Sequence, residues 1–235
     1  MTIITITVIA MIEARALMRL LQLASPMLPV GAYAYSQGLE AAIEAGVVHD
    51  PETCAAWIGD TMALYLARFE LPLLARMIDA WRADGDCAHW NEMLLAGRDT
   101  AESRAETLQM GFSLARLLSD LEICDEGERA RLAALGEVSF PMAFAVASVE
   151  HDIPIDAALG GYAWSWLENQ VAVAMKAIPV GQLAGQRLLL RLGGRIPGLV
   201  EEALALGEED FGNVAPGLAL AGSAHEIQYS RLFRS

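Results

Sequence analysis

The sequence predicts an all-α fold, a single-domain helical bundle of about ten helices with a long helix kinked near Pro179, on three observations. Hydrophobic residues fill 54% of 235 positions while aromatics are only 7%. Ala and Leu are frequent, and both lose little on entering a helix. From Ala14 onward the apolar residues recur at helical spacing, and the prolines and glycines fall mostly between the recurring stretches.

The first dozen residues differ. Ile4, Ile6 and Val8 alternate with Thr5, Thr7 and Ile9 as in a strand, but no second strand presents itself as a partner. Residues 1–16 are therefore expected to form an arm that is either flexible or ordered by a partner. A helix is predicted over 15–23, ending at Ser25-Pro26. A Pro/Gly loop follows, and Ser36 is the expected cap of a helix that stops at Gly46. Asp50 caps the next helix with Pro51 at its first position, and Trp57, Thr61, Leu64, Tyr65 and Arg68 share one of its faces. Pro72 opens or kinks a helix reaching about Arg82, and Ala83-Asp84-Gly85-Asp86 is a turn.

Further helices are expected over 89–96, 100–121, 128–135 and 141–149. In the second of these, Leu108, Phe112, Ala115 and Leu118 form the apolar face. The longest helical stretch starts at Asp152 and runs towards Leu192. Pro179 must kink or break it, because proline has no amide proton and clashes with the preceding turn. Gly193-Gly194 ends it. Short helices over 197–206 and about 215–221 precede a tail, residues 225–235. The main domain is thus 17–224.

The net charge of −14, from 16 basic and 30 acidic residues, repels phosphate backbones and argues against nucleic acid as a partner. Cys54, Cys87 and Cys124 are odd in number and far apart, which indicates buried free thiols in a reducing compartment. The longest uncharged run, between Arg19 and Glu40, is broken by Pro26, Pro29, Gly31 and Gly38, so no membrane span is expected.

No phosphate loop, GxSxG or HExxH occurs, and no cofactor is implied. Asp84, Asp86, Cys87, His89 and Glu92 gather possible metal ligands. Their order fits no ligand spacing, and the aspartates belong to a turn, so no metal site is assigned. His49, His151 and His225 stand alone in sequence and are read as structural or solvated.

Three stretches together resemble the urease accessory protein family UreF: LLQLASPMLPVGAYAYSQGLEAAIEAG at 20–46, KAIPVGQLAGQRLLLRL at 176–192 and HEIQYSRLFRS at 225–235. The resemblance covers the chain from about residue 17. Ala34 and Ile227 depart from the family pattern, where Ser or Thr and Thr are usual. The resemblance implies an all-α, cytoplasmic, homodimeric, non-enzymatic scaffold. It also implies binding to UreD (UreH), recruitment of the GTPase UreG, and action of the assembly on the urease apoprotein for nickel insertion.

Ten residues are the expected partner-binding set. Tyr33 and Tyr35 offer flat amphipathic area, or else plug the core beneath their loop. Glu40 sits in a first helical turn, where a carboxylate is favoured; the resemblance makes it a surface group facing the GTPase. Lys176, the only lysine, is costly in an apolar stretch unless paired or exposed, and Glu40 is a possible partner. Gln182 and Arg187 lie on neighbouring turns after Pro179. Tyr229, Arg231, Phe233 and Arg234 combine aromatic and guanidinium groups in a tail suited to docking. Arg231 or Arg234 could also serve as an arginine finger to the GTPase. The competing reading is a small helical enzyme using Glu40 and a tyrosine as acid and base.

Overall fold

A computed structural model describes residues 12–235. Most of the expected N-terminal arm, with its strand-like alternation, lies outside the described residues. Among the described residues every regular element is helical, as the composition and period predict.

The centre is α8 (Phe140–Glu150), in which every side chain from Phe140 to Ser148 is buried. A helix that is apolar all round has no face to give to water, so it must be surrounded. α4 (Leu71–Arg82) and α6 (Ala101–Asp120) flank it. Ser139 caps α8 by accepting the Met142 amide at 3.3 Å. Gly111 of α6 lets the Val138–Ser139 backbone approach, since a Cβ there would overlap the Val138 carbonyl oxygen. Phe144 meets Tyr162 of α9 (Ile155–Ala177) edge to face, with centroids 5.2 Å apart.

α3 (Pro51–Thr61) begins at the predicted cap: Asp50 accepts the Thr53 amide at 2.8 Å, in a capping box with Pro51 following. A π-helical stretch, Met62–Glu70, joins α3 to α4 without a break. Pro72 stands in the first turn of α4, as expected, although the helical path runs into it from the π-helical stretch. It has no amide for the Arg68 carbonyl one turn back, and the Gly212 amide takes that carbonyl at 3.0 Å. α5 (Cys87–Ala96) starts two residues earlier than predicted, because Asp86 caps it by accepting the His89 amide. α7 (Glu126–Ala134) is capped by Asp125.

The predicted apolar face of α6 is only partly right. Leu118 is buried, but Phe112 is exposed, and the inward stripe is Met110, Gly111, Leu114 and Leu118. Leu108, Phe112 and Ala115 instead line a surface groove against α7.

α9 is the second axis. It carries α1 (Ala14–Leu23), α2 (Leu39–Glu44), α10 (Gln182–Gly193) and α11 (Ile196–Ala205). At Pro179 the long stretch breaks rather than kinks, with Ile178 extended between α9 and α10. α12 (Pro216–Glu226) packs on α2 and extends beyond the predicted end, so His225 belongs to its last turn and not to the tail. Ser36 does not cap α2. Gly38, at φ 79°, holds the N-cap position without a side-chain bond, and Ser36 is engaged elsewhere. No described helix is long and apolar enough to cross a membrane.

Candidate functional site

The most elaborate polar construction surrounds the segment after α12. Its main chain is held on two sides. Glu40 of α2 accepts the Leu232 amide at 2.6 Å and the Phe233 amide at 3.0 Å, one on each carboxylate oxygen. The loop before α2 holds the other edge. The Arg234 amide donates to the Ala34 carbonyl at 2.8 Å, and the Ser36 and Gln37 amides donate to the Ser235 main-chain oxygen at 2.6 and 3.0 Å. The Ser36 hydroxyl donates to that oxygen as well. Gln37 and Gly38 both adopt positive φ, which turns these amides toward the tail; a Cβ on Gly38 would also crowd Gly222 of α12 at 3.2 Å.

His225 locks the base of the segment. It is fully buried, with Nε2 3.3 Å from a Glu40 oxygen and Nδ1 2.7 Å from a Glu102 oxygen. The other Glu102 oxygen accepts from the Arg231 guanidinium, which also donates to the Gln228 and Glu226 carbonyls at 2.8 and 2.6 Å. Only Phe233 and Ser235 of the segment are buried as side chains; Tyr229, Ser230, Arg231, Leu232 and Arg234 face outward.

Behind Ser235 lies a second polar layer. The Ser235 hydroxyl donates to Glu106 at 2.8 Å, and Gln37 Nε2 donates to the other Glu106 oxygen at 2.6 Å. The Trp166 indole donates to Gln37. Arg98 contacts Glu70 at 3.4 Å and donates to Tyr65, while Tyr162 donates to Glu70. Burial pushes the Glu106 carboxyl above its ordinary range, against the Gln37, Ser235 and Arg98 contacts that favour its charge. Burial likewise raises the Tyr65 and Tyr162 phenols, with the Glu70 carboxylate adding to it. Two cavities of about 50 Å³ each adjoin this layer, and Gln37, Arg98 and Glu106 line both. Among the described residues, Arg98 Nε and Asn169 Oδ1 are buried without a hydrogen-bond partner.

The expected binding residues divide into three groups. Lys176, Gln182, Arg187, Tyr229, Arg231 and Arg234 are exposed. Glu40, Tyr35 and Phe233 are not. Glu40 is 6% exposed, so the surface role expected for its carboxylate is corrected: its oxygens are occupied by this chain's own amides. Tyr35 is buried and its carbonyl accepts from Asn169. Tyr33 is half-buried and donates to Glu168 at 3.1 Å, and burial with that carboxylate raises its phenol. Lys176 does not pair with Glu40. Its ammonium lies 5.4 Å from the Phe233 ring centroid, so the two residues bracket Phe233 without touching.

Sequence reasoning missed Gln37, Glu102, Glu106 and the buried role of His225. Glu102 and Glu106 are one turn apart on α6, which places them on one face, but periodicity alone does not reveal that the face is covered. Of the set Asp84, Asp86, Cys87, His89 and Glu92, the two aspartates are engaged elsewhere: Asp86 caps α5 and Asp84 pairs with Arg131 at 2.7 Å. No group of metal-ligating side chains is found among the described residues. No tyrosine hydrogen-bonds Glu40 there, which leaves the acid–base pair of the enzymatic reading unformed.

The best-built polar site of this helical body thus grips a peptide segment of its own chain and presents that segment's outer side chains to solvent, the build of a binding protein. The family comparison is specific. The UreF family pattern matches residues 48–193, and the chain belongs to that family. It is 56% identical over 224 residues to the urease accessory protein UreF of Azoarcus sp. (strain BH72), covering 93% of this chain and 95% of that one. It is 53% identical over 227 residues to the protein of the same name from Methylobacillus flagellatus, covering 96% and 100% respectively. The corresponding protein of Janthinobacterium sp. (strain Marseille) is 50% identical over 225 residues, covering 95% of this chain and all 100% of its own length. The chain is therefore a urease accessory protein and not an enzyme.

Proposed function

We propose that this protein is the scaffold on which the nickel centre of urease is assembled: a cytoplasmic homodimer that binds UreD (UreH), recruits and regulates the GTPase UreG, and presents both to the urease apoprotein. The observation that carries this reading is the outer face of the docked segment. Tyr229 is fully exposed and Leu232 and Ile227 largely so, beside the exposed Arg234. Exposed aromatic and aliphatic side chains around guanidinium groups are what partner surfaces are made of. Lys176 stands beside the segment, 5.4 Å from the Phe233 ring, and Gln182 and Arg187 are exposed on α10. Glu40, Tyr35 and Phe233 then act indirectly, by fixing the shape of the segment. Arg231 is occupied by Glu102 and two carbonyls, which leaves Arg234 as the better arginine finger, with no side-chain bond among the described residues.

The test is co-elution of the purified chain with UreD and UreG. Removing all of 225–235 would also expose Glu40 and Glu106, so a point variant is cleaner. Tyr229→Ala combined with Leu232→Ala leaves the Glu40 clamp in place, because that clamp uses main-chain amides. The double variant should keep its fold and lose UreD or UreG from the complex by at least about tenfold in affinity, as loss of about 1.4 kcal/mol requires. Complexes of undiminished affinity, together with unchanged urease activation, would remove this surface from the mechanism. GTP turnover by UreG with wild-type and Arg234→Ala protein decides the finger.

A further inference from the structure

The buried layer behind the tail is short of positive charge. Glu70 and Glu106 are both buried, and among the described residues one guanidinium, that of Arg98, stands between them. Arg98 touches Glu70, and the Tyr162 hydroxyl also donates to Glu70, so Glu70 is the better-compensated carboxylate. Glu106 has the Ser235 hydroxyl and the Gln37 amide, two neutral donors. Two carboxylates sharing one cation away from water favour a proton on the less compensated of them.

The tail covers one side of the Glu106 carboxyl. Ser235 lies directly on the Glu106 carboxyl and lines the same cavity, and the segment that carries it has no regular secondary structure. We infer that the C-terminal segment is a proton-linked latch: it closes over Glu106 in its neutral form, and ionisation of Glu106 opens it. In the closed state the buried carboxyl keeps its proton, accepting from Gln37 on one oxygen while the other donates to the Ser235 hydroxyl, which takes the acceptor role in this form. When the segment lifts, water reaches the carboxyl, the proton passes to solvent, and the charged form then opposes reclosure. The raised position of the Glu106 carboxyl agrees in sign. A group protonated in the closed state stabilises closure fully below its open-state value, and that contribution is lost as pH rises through its closed-state value.

Other ionisable groups stand near. Glu102 lies one turn before Glu106 on the same helix, His225 and Arg231 approach from α12 and the tail, and Glu40 approaches from α2. Tyr65 and Tyr162 approach from the π-helical stretch and α9, but burial keeps both neutral well beyond neutral pH. His225 is a second proton-binding group of this construction, with its two nitrogens facing the Glu40 and Glu102 carboxylates.

The test is amide hydrogen exchange of Leu232 and Phe233 on the full chain between about pH 5 and pH 8, with rates corrected for intrinsic exchange and α8 amides as internal reference. Protection of the two tail amides should fall with rising pH, by up to about tenfold per pH unit, the limit for one proton. Glu106→Gln keeps an acceptor for Gln37 and a partner for Ser235, and should flatten the profile. A flat wild-type profile overturns the inference and decides by itself should the variant not fold. A slope that survives Glu106→Gln and vanishes in His225→Gln overturns it too, by moving the proton to the imidazole.

Discussion

Replacing Glu40 with alanine should release the C-terminal segment without unfolding the body. The carboxylate accepts two main-chain amides of the segment, at 2.6 and 3.0 Å, in a site only 6% exposed. Hydrogen bonds to a charged group contribute about 1.5–3 kcal/mol each, so even the low end gives about 3 kcal/mol for the pair. Against that, the variant keeps burial of the Phe233 ring, about 2 kcal/mol, and the bonds from the Ser36 loop. The loss therefore shifts the docked-to-free ratio by about a hundredfold, at 1.4 kcal/mol per factor of ten. Limited trypsin digestion reads this directly, because Arg231 is exposed but its chain is held, and cleavage follows the open population when reclosing is fast. Cleavage after Arg231 should rise by about two orders of magnitude while cleavage after Arg76 in α4 and Arg104 in α6 stays slow. An unchanged rate at Arg231 would refute the clamp. Equal acceleration throughout the chain would show instead that Glu40 supports the whole fold.

Two further outcomes follow from the packing. Gly111→Ala places a methyl group against the Val138 carbonyl and the Ser139 backbone, which cannot swing aside as a side chain can; the denaturant midpoint should fall by the equivalent of about 3 kcal/mol at unchanged slope, and a loss under 1 kcal/mol would contradict the close approach. The cysteines should resist a thiol reagent near pH 8 in the folded protein and all three should react in denaturant, because burial holds Cys54 at about 11, Cys124 at about 12 and Cys87 above its ordinary value; labelling of any of them in the native state at the rate of a free thiol would be the contrary result.

The sequence alone determined the helical class, most helix starts and the family. Helix class and caps are local properties. Asp50-Pro51 and Thr100 act on amides three residues away, and apolar period needs no knowledge of the partner helix. The resemblance was legible in three stretches, of which the loop at 20–46 and the tail at 225–235 prove to be one construction in space. Only the tertiary structure decided which polar groups of that construction are inside. Glu40 has the local setting of an exposed first-turn acid, yet it is buried, because two amides nearly two hundred positions away replace its water. Pro72 stands in the first turn of α4 as its pattern predicts, yet the helical path continues into it from Met62–Glu70, and the distant Gly212 amide takes the Arg68 carbonyl that Pro72 cannot serve. His225 looks solitary and stands between two carboxylates from α2 and α6. In each case the deciding contact is long-range, and no local pattern records which distant group will arrive to satisfy a buried polar atom.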